Sequence, residues 1–505
     1  MKKTVFLALI VMLLFPTAYA SGTQKEMRGV WVSTVYNLDF PSSPTADSQR
    51  LMAETDEIIS NCSEMGFNAI FLQVRPGSDA IYPSAIYPWS SYLSGAQGQA
   101  PSDGFDPLKY WIDKCREKSI ELHAWINPYR ITKNGDKEYA SLSQSNPAVM
   151  HPEWTVKYSD GNYYYNPALP EVRQLVTDGV KEILQNYDVD GIHMDDYFYP
   201  GQNFDDAVQY EMYNNGEFSS IEDWRRNSVN MLVKTLYETV HSVKSNAVFG
   251  ISPAGIWDNK SSNPLGSDTE GRAAYSALFA DSRRWVKEGW VDYLAPQIYW
   301  EFGNKAADYE ILVRWWSNVF NGSEAKLYIG LADYRCNDAS ENSVWYNGAE
   351  IERQIGFNRS FGNISGEIHF RYKMINANNA VKQLLSRVYE REVRVLINNA
   401  EIEFDQPPII KDSRTLVPMR KIFEEFGFDV EWNDETKTVT AKKNAETVKM
   451  QIGNNSFTVN GSTFNCDVPP CIINSRTLIP VRALSEALNC NVGWDSETKT
   501  VLITQ

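Results

Sequence analysis

Cationic side chains are in deficit here: 48 Lys and Arg stand against 64 Asp and Glu, a net charge of −16. Nucleic-acid binding depends on clustered Lys and Arg, so that class of partner is excluded, and uncharged or zwitterionic ligands fit better. Six cysteines in 505 residues are too few for a disulfide framework. Histidine is scarcer, five in all and none in residues 393–505. No pair of them has a standard zinc-ligand spacing, so no metal is expected. Beyond the N-terminus no apolar run is long enough for a transmembrane helix. No Gly-rich phosphate turn follows the first strand, which disfavours a dinucleotide-binding open sheet.

What is present begins with a leader. Lys2 and Lys3 precede the apolar run VFLALIVMLLF (5–15), and AYA (18–20) is a small-x-small cleavage site. Residues 1–20 read as a signal peptide cut after Ala20. The next residue is Ser21, not cysteine, so no lipoprotein anchor is expected, and the mature protein is read as secreted, extracellular or wall-associated.

Residues 26–390 alternate short apolar strands with amphipathic helical stretches. The strands fall at 28–34, 67–75, 120–127, 189–196, 247–253, 291–300, 327–333 and 366–373. Eight β-then-α units predict a (β/α)8 TIM barrel, with large loops at 76–107 and 128–170. From 393 the rhythm changes. Residues 413–439 return as 475–501, a shift of 62 without a gap, which predicts a small C-terminal α+β domain of two repeats over 393–505.

Barrel chemistry sits at the C-terminal ends of the strands. Alternation puts Gln73 with Arg75, His123 with Trp125 and Asn127, His193 with Asp195, and Gln297 with Tyr299. Polar side chains this dense must bond one another or face a ligand, since each costs about 1–3 kcal/mol when buried alone. Asp195 and Asp196 are adjacent, followed by Tyr197. Alternation aims Asp195 at the mouth and Asp196 at the wall, unless the strand ends first. A second acid is available from Glu301, which follows PQIYW, from Asp333, or from Asp79 in the loop after strand two. Of these Glu301 is grouped with the catalytic aspartates and Asp79 with the binding residues. Trp31, Trp89, Trp125, Trp257 and Trp300 could stack on sugar rings or fill a core.

The segments RGVWVSTVYNLDFP (28–41), FLQVRPGSDAIYPS (71–84), HAWINPYR (123–130), DGIHMDDYFYP (190–200), DWRRNSVN (223–230), FGISPAGIW (249–257) and PQIYW (296–300) together resemble the glycosyl-hydrolase-like 10 family. The resemblance implies a barrel hydrolase of bacterial cell-wall glycan, peptidoglycan or its peptide-stripped strands, working without a cofactor. It assigns catalysis to Asp195 and Asp196. Substrate contact or support falls to Arg75, His123, Asn127, His193, Arg225, Gln297 and Tyr299. Trp125, Tyr197 and Trp300 join them as binding candidates. The alternatives are a wall-glycan binding protein without turnover and a hydrolase of another extracellular polysaccharide. In the tail, RTLVPMR (414–420) and RTLIPVR (476–482), each with a downstream W-[ND]-x-E-T-K-T-V, resemble the copper amine oxidase N-terminal-like repeat. That implies a non-catalytic appendage, and the name implies no copper.

Overall fold

Eight short apolar segments, each too exposed to be stable alone, bury one another by closing into a ring. They are β1 (Met27–Val32), β2 (Ala69–Arg75), β3 (Glu121–Ile126), β4 (Gly191–Met194), β5 (Val248–Ile251), β6 (Tyr293–Leu294), β7 (Lys326–Leu331) and β8 (Ile364–His369). Every neighbouring pair is parallel, and β8 pairs back onto β1 to close the barrel. The computed structural model describes residues 26–389, 393–411, 414–495 and 499–504, so the leader at 1–20 lies outside the described residues. None of the described helices is long and apolar enough to cross a membrane.

The helices of the outer ring are α1 (Ser48–Glu64), α2 (Pro107–Glu117), α3 (Pro170–Asn186), α4 (Ile221–Val243), α5 (Ser282–Lys287), α6 (Tyr309–Val319), α7 (Ala349–Asn358) and α8 (Asn379–Val388). Their starts are written in the sequence. Asp47, Asp106, Ser220, Asp308 and Asn378 each accept a backbone N–H of the first turn, and Pro107 and Pro170 occupy first-turn positions where no N–H is needed. Between barrel and helices lies the main apolar core.

The interior of the barrel is filled by large rings. Phe71 stacks on His123 at 4.5 Å between centroids, and His193 lies parallel to Tyr293 at 5.9 Å. Such rings need gaps in the opposite wall. A Cβ on Gly250 would collide with the Tyr293 ring, and one on Gly191 would lie 2.5 Å from His123 Nδ1.

The described residues from 393 onward form a second core. The repeated strands Arg414–Pro418 and Arg476–Pro480 pair with each other antiparallel, and Val417 faces Ile479. Because 417 plus 62 is 479, these are equivalent positions, and the two repeats meet about a local two-fold axis. The first strand of the module, Arg394–Ile397, pairs parallel with the last, Thr500–Thr504. All six cysteines are free thiols.

Candidate active site

β4 ends at Met194, two residues short of the sequence expectation, and this decides where the aspartates go. Alternation no longer governs Asp196, and both side chains line one cleft of about 300 Å3 at the C-terminal mouth. Its walls are Trp31, Ser33, Tyr36 and Gln73 from the first two units, Trp125, Arg130 and Lys133 from the third, and Gln297, Tyr299, Tyr334 and Phe370 from the last three.

The two acids differ in environment. Asp195 is buried and accepts from Trp125 Nε1 at 3.1 Å, from Asn127 Nδ2 at 3.1 and 3.2 Å, and from the Tyr197 amide at 3.3 Å. Burial pushes its carboxyl above the ordinary value, opposed by the Arg130 charge and then by these donors. Asp196 is only half-buried and shares the cleft with Gln297, whose Nε2 donates to the Ser252 carbonyl at 2.9 Å. Burial, then the charge of Asp195, push the Asp196 carboxyl up to about 6. The lining therefore offers one carboxyl held by three donors and one whose proton is retained up to about pH 6.

Asn127 is fixed in turn, its Oδ1 accepting the Arg130 amide at 2.9 Å. Arg130 donates Nε and Nη2 to the Pro76 carbonyl at 3.0 and 2.8 Å, and its guanidinium lies 4.8 Å from the Tyr197 ring. Lys133 sits beside the same ring at 5.2 Å, and burial lowers its ammonium below the ordinary lysine value.

Beneath the cleft, His193 is held in one tautomer. The Trp31 indole can only donate, and it reaches His193 Nε2 at 3.1 Å, so the proton of the neutral ring is on Nδ1 and points to Tyr293 Oη at 3.0 Å. Burial, reinforced by His123, holds the ring well below the ordinary histidine value and therefore neutral.

Several residues expected at the mouth lie elsewhere. A register shift in β2 places Gln73 opposite Trp125 but Arg75 opposite Ile126. That extra residue turns Arg75 out of the barrel, where its guanidinium packs 3.9 Å from the Tyr87 ring, against Gly179 of α3. His123 sits lower, on a second cavity at the N-terminal end with Glu121 and Asp292. Asp79 is buried within the β2 loop, accepting from Gln97 at 3.5 Å, and burial pushes it up to about 6. Glu301 turns away from the cleft to Asn304 at 2.8 Å and Arg335 at 3.6 Å. Burial raises its carboxyl, but these partners outweigh that and leave it below the ordinary value. Trp300 also lies outside the cleft lining, its carbonyl accepting from Gln354. Arg225 forms a buried ion pair with Asp206 at 2.5 Å and also binds the Gln202 and Phe204 carbonyls, which ties down the segment after the aspartates. Tyr36, Arg130, Lys133, Tyr334 and Phe370 line the cleft without having been singled out. "HAWINPYRITK" places Arg130 and Lys133 just past strand three, the one signal for them. Among the described residues no cluster of three metal-ligating side chains occurs.

Three comparisons bear on this geometry. The model of the family described as glycosyl hydrolase-like 10 matches residues 26–347, and that of the copper amine oxidase N-terminal domain matches 396–503. Glycosyl hydrolase YngK of Bacillus subtilis is 43% identical over 361 residues, covering 70% of this chain and 70% of its own. Glycosyl hydrolase DigH of Escherichia coli is 39% identical over 396 residues, 74% of this chain and 89% of its own. Among solved structures, the PgaB (BpsB) glycoside hydrolase domain from Bordetella bronchiseptica is 13% identical, with a TM-score of 0.47 over 72% of this chain and 98% of its own.

Proposed function

This chain belongs to the glycosyl hydrolase-like 10 family, and from that premise we propose that it is an exported glycoside hydrolase acting on cell-wall glycan, in particular peptidoglycan strands stripped of their stem peptides. The observation that carries the reading is the shared cleft of Asp195 and Asp196 under walls of Trp31, Trp125, Tyr36, Tyr299 and Tyr334. Aromatic faces bind the apolar faces of sugar rings, and the polar edges and acids address hydroxyls and the glycosidic oxygen.

Asp196 is the general acid: burial and the Asp195 charge push its carboxyl up to about 6, so it keeps its proton in mildly acidic solution. Asp195 remains the carboxylate, because Trp125, Asn127 and the Tyr197 amide all donate to it. The choice of stripped strands is supported by Lys133. It is half-buried between Tyr36 and Tyr197, and among the described residues it has no carboxylate within ion-pair distance. Removing a stem peptide frees the lactyl carboxylate of the sugar that carried it, an anion of the kind this lysine lacks.

Incubation of the purified protein with intact and amidase-stripped peptidoglycan, followed by mass spectrometry of released fragments, tests the reading. Saccharide release from stripped strands that is lost in Asp196→Asn supports it. Pull-down onto the glycan without fragments, or no action on either material, overturns it.

A further inference from the structure

A glycosidase that supplies both acid and nucleophile from its own side chains places two carboxyls across the sugar, about 5–5.5 Å apart for retention, or about 6.5–9.5 Å apart for inversion through water. In this cleft both acids come from consecutive residues at the end of β4. In the strand order, β8 lies diametrically opposite β4, flanked by β1 and β7. Those units contribute Trp31, Ser33, Tyr36, Tyr334 and Phe370 to the cleft, and no carboxylate.

The other acids around the mouth lie outside the cleft lining. Asp39 accepts from the Ser33 amide at 2.9 Å and from Arg371 and the Lys373 amide at 2.8 Å. Asp333 is fully buried against His369 Nδ1 at 2.9 Å. Glu138 accepts the Lys133 and Asn134 amides at 2.7 and 2.8 Å. Glu301 bonds Asn304 at 2.8 Å, and Asp79 is buried within the β2 loop. Among the described residues the cleft lining therefore holds an acid and an auxiliary carboxylate from one strand end, and no carboxylate from the opposite wall to attack the anomeric carbon.

We infer that the attacking group belongs to the substrate: the carbonyl oxygen of a 2-acetamido group on the sugar whose bond is cleaved. The inference rests on the glycan-hydrolase reading and deepens it. The acetamido oxygen attacks C1. The C1–O glycosidic bond breaks, its electron pair stays on the leaving oxygen, and that oxygen takes the proton of Asp196. The product is a five-membered oxazolinium ring, whose N–H is held by the Asp195 carboxylate, which also balances the positive charge. Water then attacks C1 from the vacated side and gives its proton to the Asp196 carboxylate. The C1–O bond of the ring breaks, its electrons restore the amide, and the enzyme returns to its starting state. One water is consumed, no other reactant is needed, and the configuration at C1 is retained. A C2 substituent reaches the back of C1 only when the leaving group is 1,2-trans, so in the gluco series the substrate is a β-linked 2-acetamido-2-deoxy sugar.

The geometry around Asp195 suits this role. Its two oxygens are already turned by Trp125, Asn127 and the Tyr197 amide, so it can orient an N–H without moving. The wall opposite is aromatic, which fits the methyl of an acetamido group.

The full-length protein decides the matter with the thiazoline analogue of N-acetylglucosamine, a stable mimic of the cyclic intermediate. Calorimetry reads its binding, and peptidoglycan cleavage is measured separately. Binding at least about 100-fold tighter than N-acetylglucosamine itself, competitive with the glycan, is the expected result. The first product anomer seen by proton NMR should be β. Cleavage that proceeds without thiazoline binding, or that yields the α anomer, overturns the inference and leaves the glycan-hydrolase reading intact. Tight binding without cleavage of peptidoglycan overturns the choice of wall glycan and keeps the mechanism. Neither binding nor cleavage overturns both. Asp195→Asn, which preserves size, should weaken thiazoline binding at least tenfold, whereas Asp196→Asn should retain binding and lose cleavage.

Discussion

Asn127 donates to both oxygens of Asp195, at 3.1 and 3.2 Å, from the first position past the strand that carries Trp125. These donors favour the charged form and oppose the rise that burial causes. In Asn127→Ala the Asp195 carboxyl loses them and titrates at a higher pH. The expected outcome is a 10- to 100-fold fall in kcat/KM, about 1.4–2.7 kcal/mol, with the acid limb of the pH profile moved upward. An unchanged profile would mean that Asn127 only packs.

Asp196 must be protonated to act as the acid, and burial followed by the Asp195 charge push its carboxyl up to about 6. Activity on glycan should therefore decline as pH rises through about 6. Removing the like charge in Asp195→Asn lowers the Asp196 value, so whatever residual activity survives should show its basic limb at lower pH. Initial rates between pH 4 and 9 read both effects.

Arg225 and Asp206 are both buried, and the same guanidinium binds two carbonyls of the segment that follows the aspartates. Removing one partner of such a pair typically costs about 3–5 kcal/mol. Arg225→Ala should lose that much in denaturant unfolding, and activity should fall even at temperatures where the variant is folded. Arg225→Lys, which cannot make the forked contacts, should recover only part.

Glu367 lies fully buried on β8, accepting from Asn358 at 3.1 Å and Tyr389 at 3.2 Å. Burial, then the charge of Glu26, raise its carboxyl to about 7. A raised acid stabilises the fold below its unfolded value and loses that contribution as pH rises through the folded one. The wild type should thus lose about 3 kcal/mol from this group between pH 5 and 9. Glu367→Gln, which mimics the neutral acid, should flatten that dependence in unfolding curves taken across the range.

At Gly250 any side chain meets the Tyr293 ring, since even a Cβ would overlap its atoms. Gly250→Ala should destabilise by about 1–3 kcal/mol or more. The double variant with Tyr293→Phe should not rescue it, because the ring and not its hydroxyl is the obstacle.

The barrel was legible because its signals are local and recur: an apolar strand run, a loop and an amphipathic helix eight times over, with a capping Asp, Ser or Asn at six of the eight helix starts. The cleft was legible where parity survives, as at Gln73, Trp125, Gln297 and Tyr299, all of which line it. It failed where one residue changes the count. The shift after Gln73 sends Arg75 to the outer face, and nothing in "LQVRPG" announces a bulge. Depth was equally invisible. His123 and His193 sit at the third positions of their strands, but β3 is offset against β4, so His123 pairs with Gly191 and His193 with Trp125. Loop residues such as Tyr36 and Lys133 reach the cleft by paths no periodicity describes.

The parallel pairing of Arg394–Ile397 with Thr500–Ile503 gives the tail a mechanical character. Its first strand enters at one end of the pair and its last strand leaves at the other. Tension between the two termini of the module would run along the strands and load every hydrogen bond of the pair at once, in shear, instead of peeling them one by one. Any barrel pulled by a load at its far C-terminus would be held through that clamp.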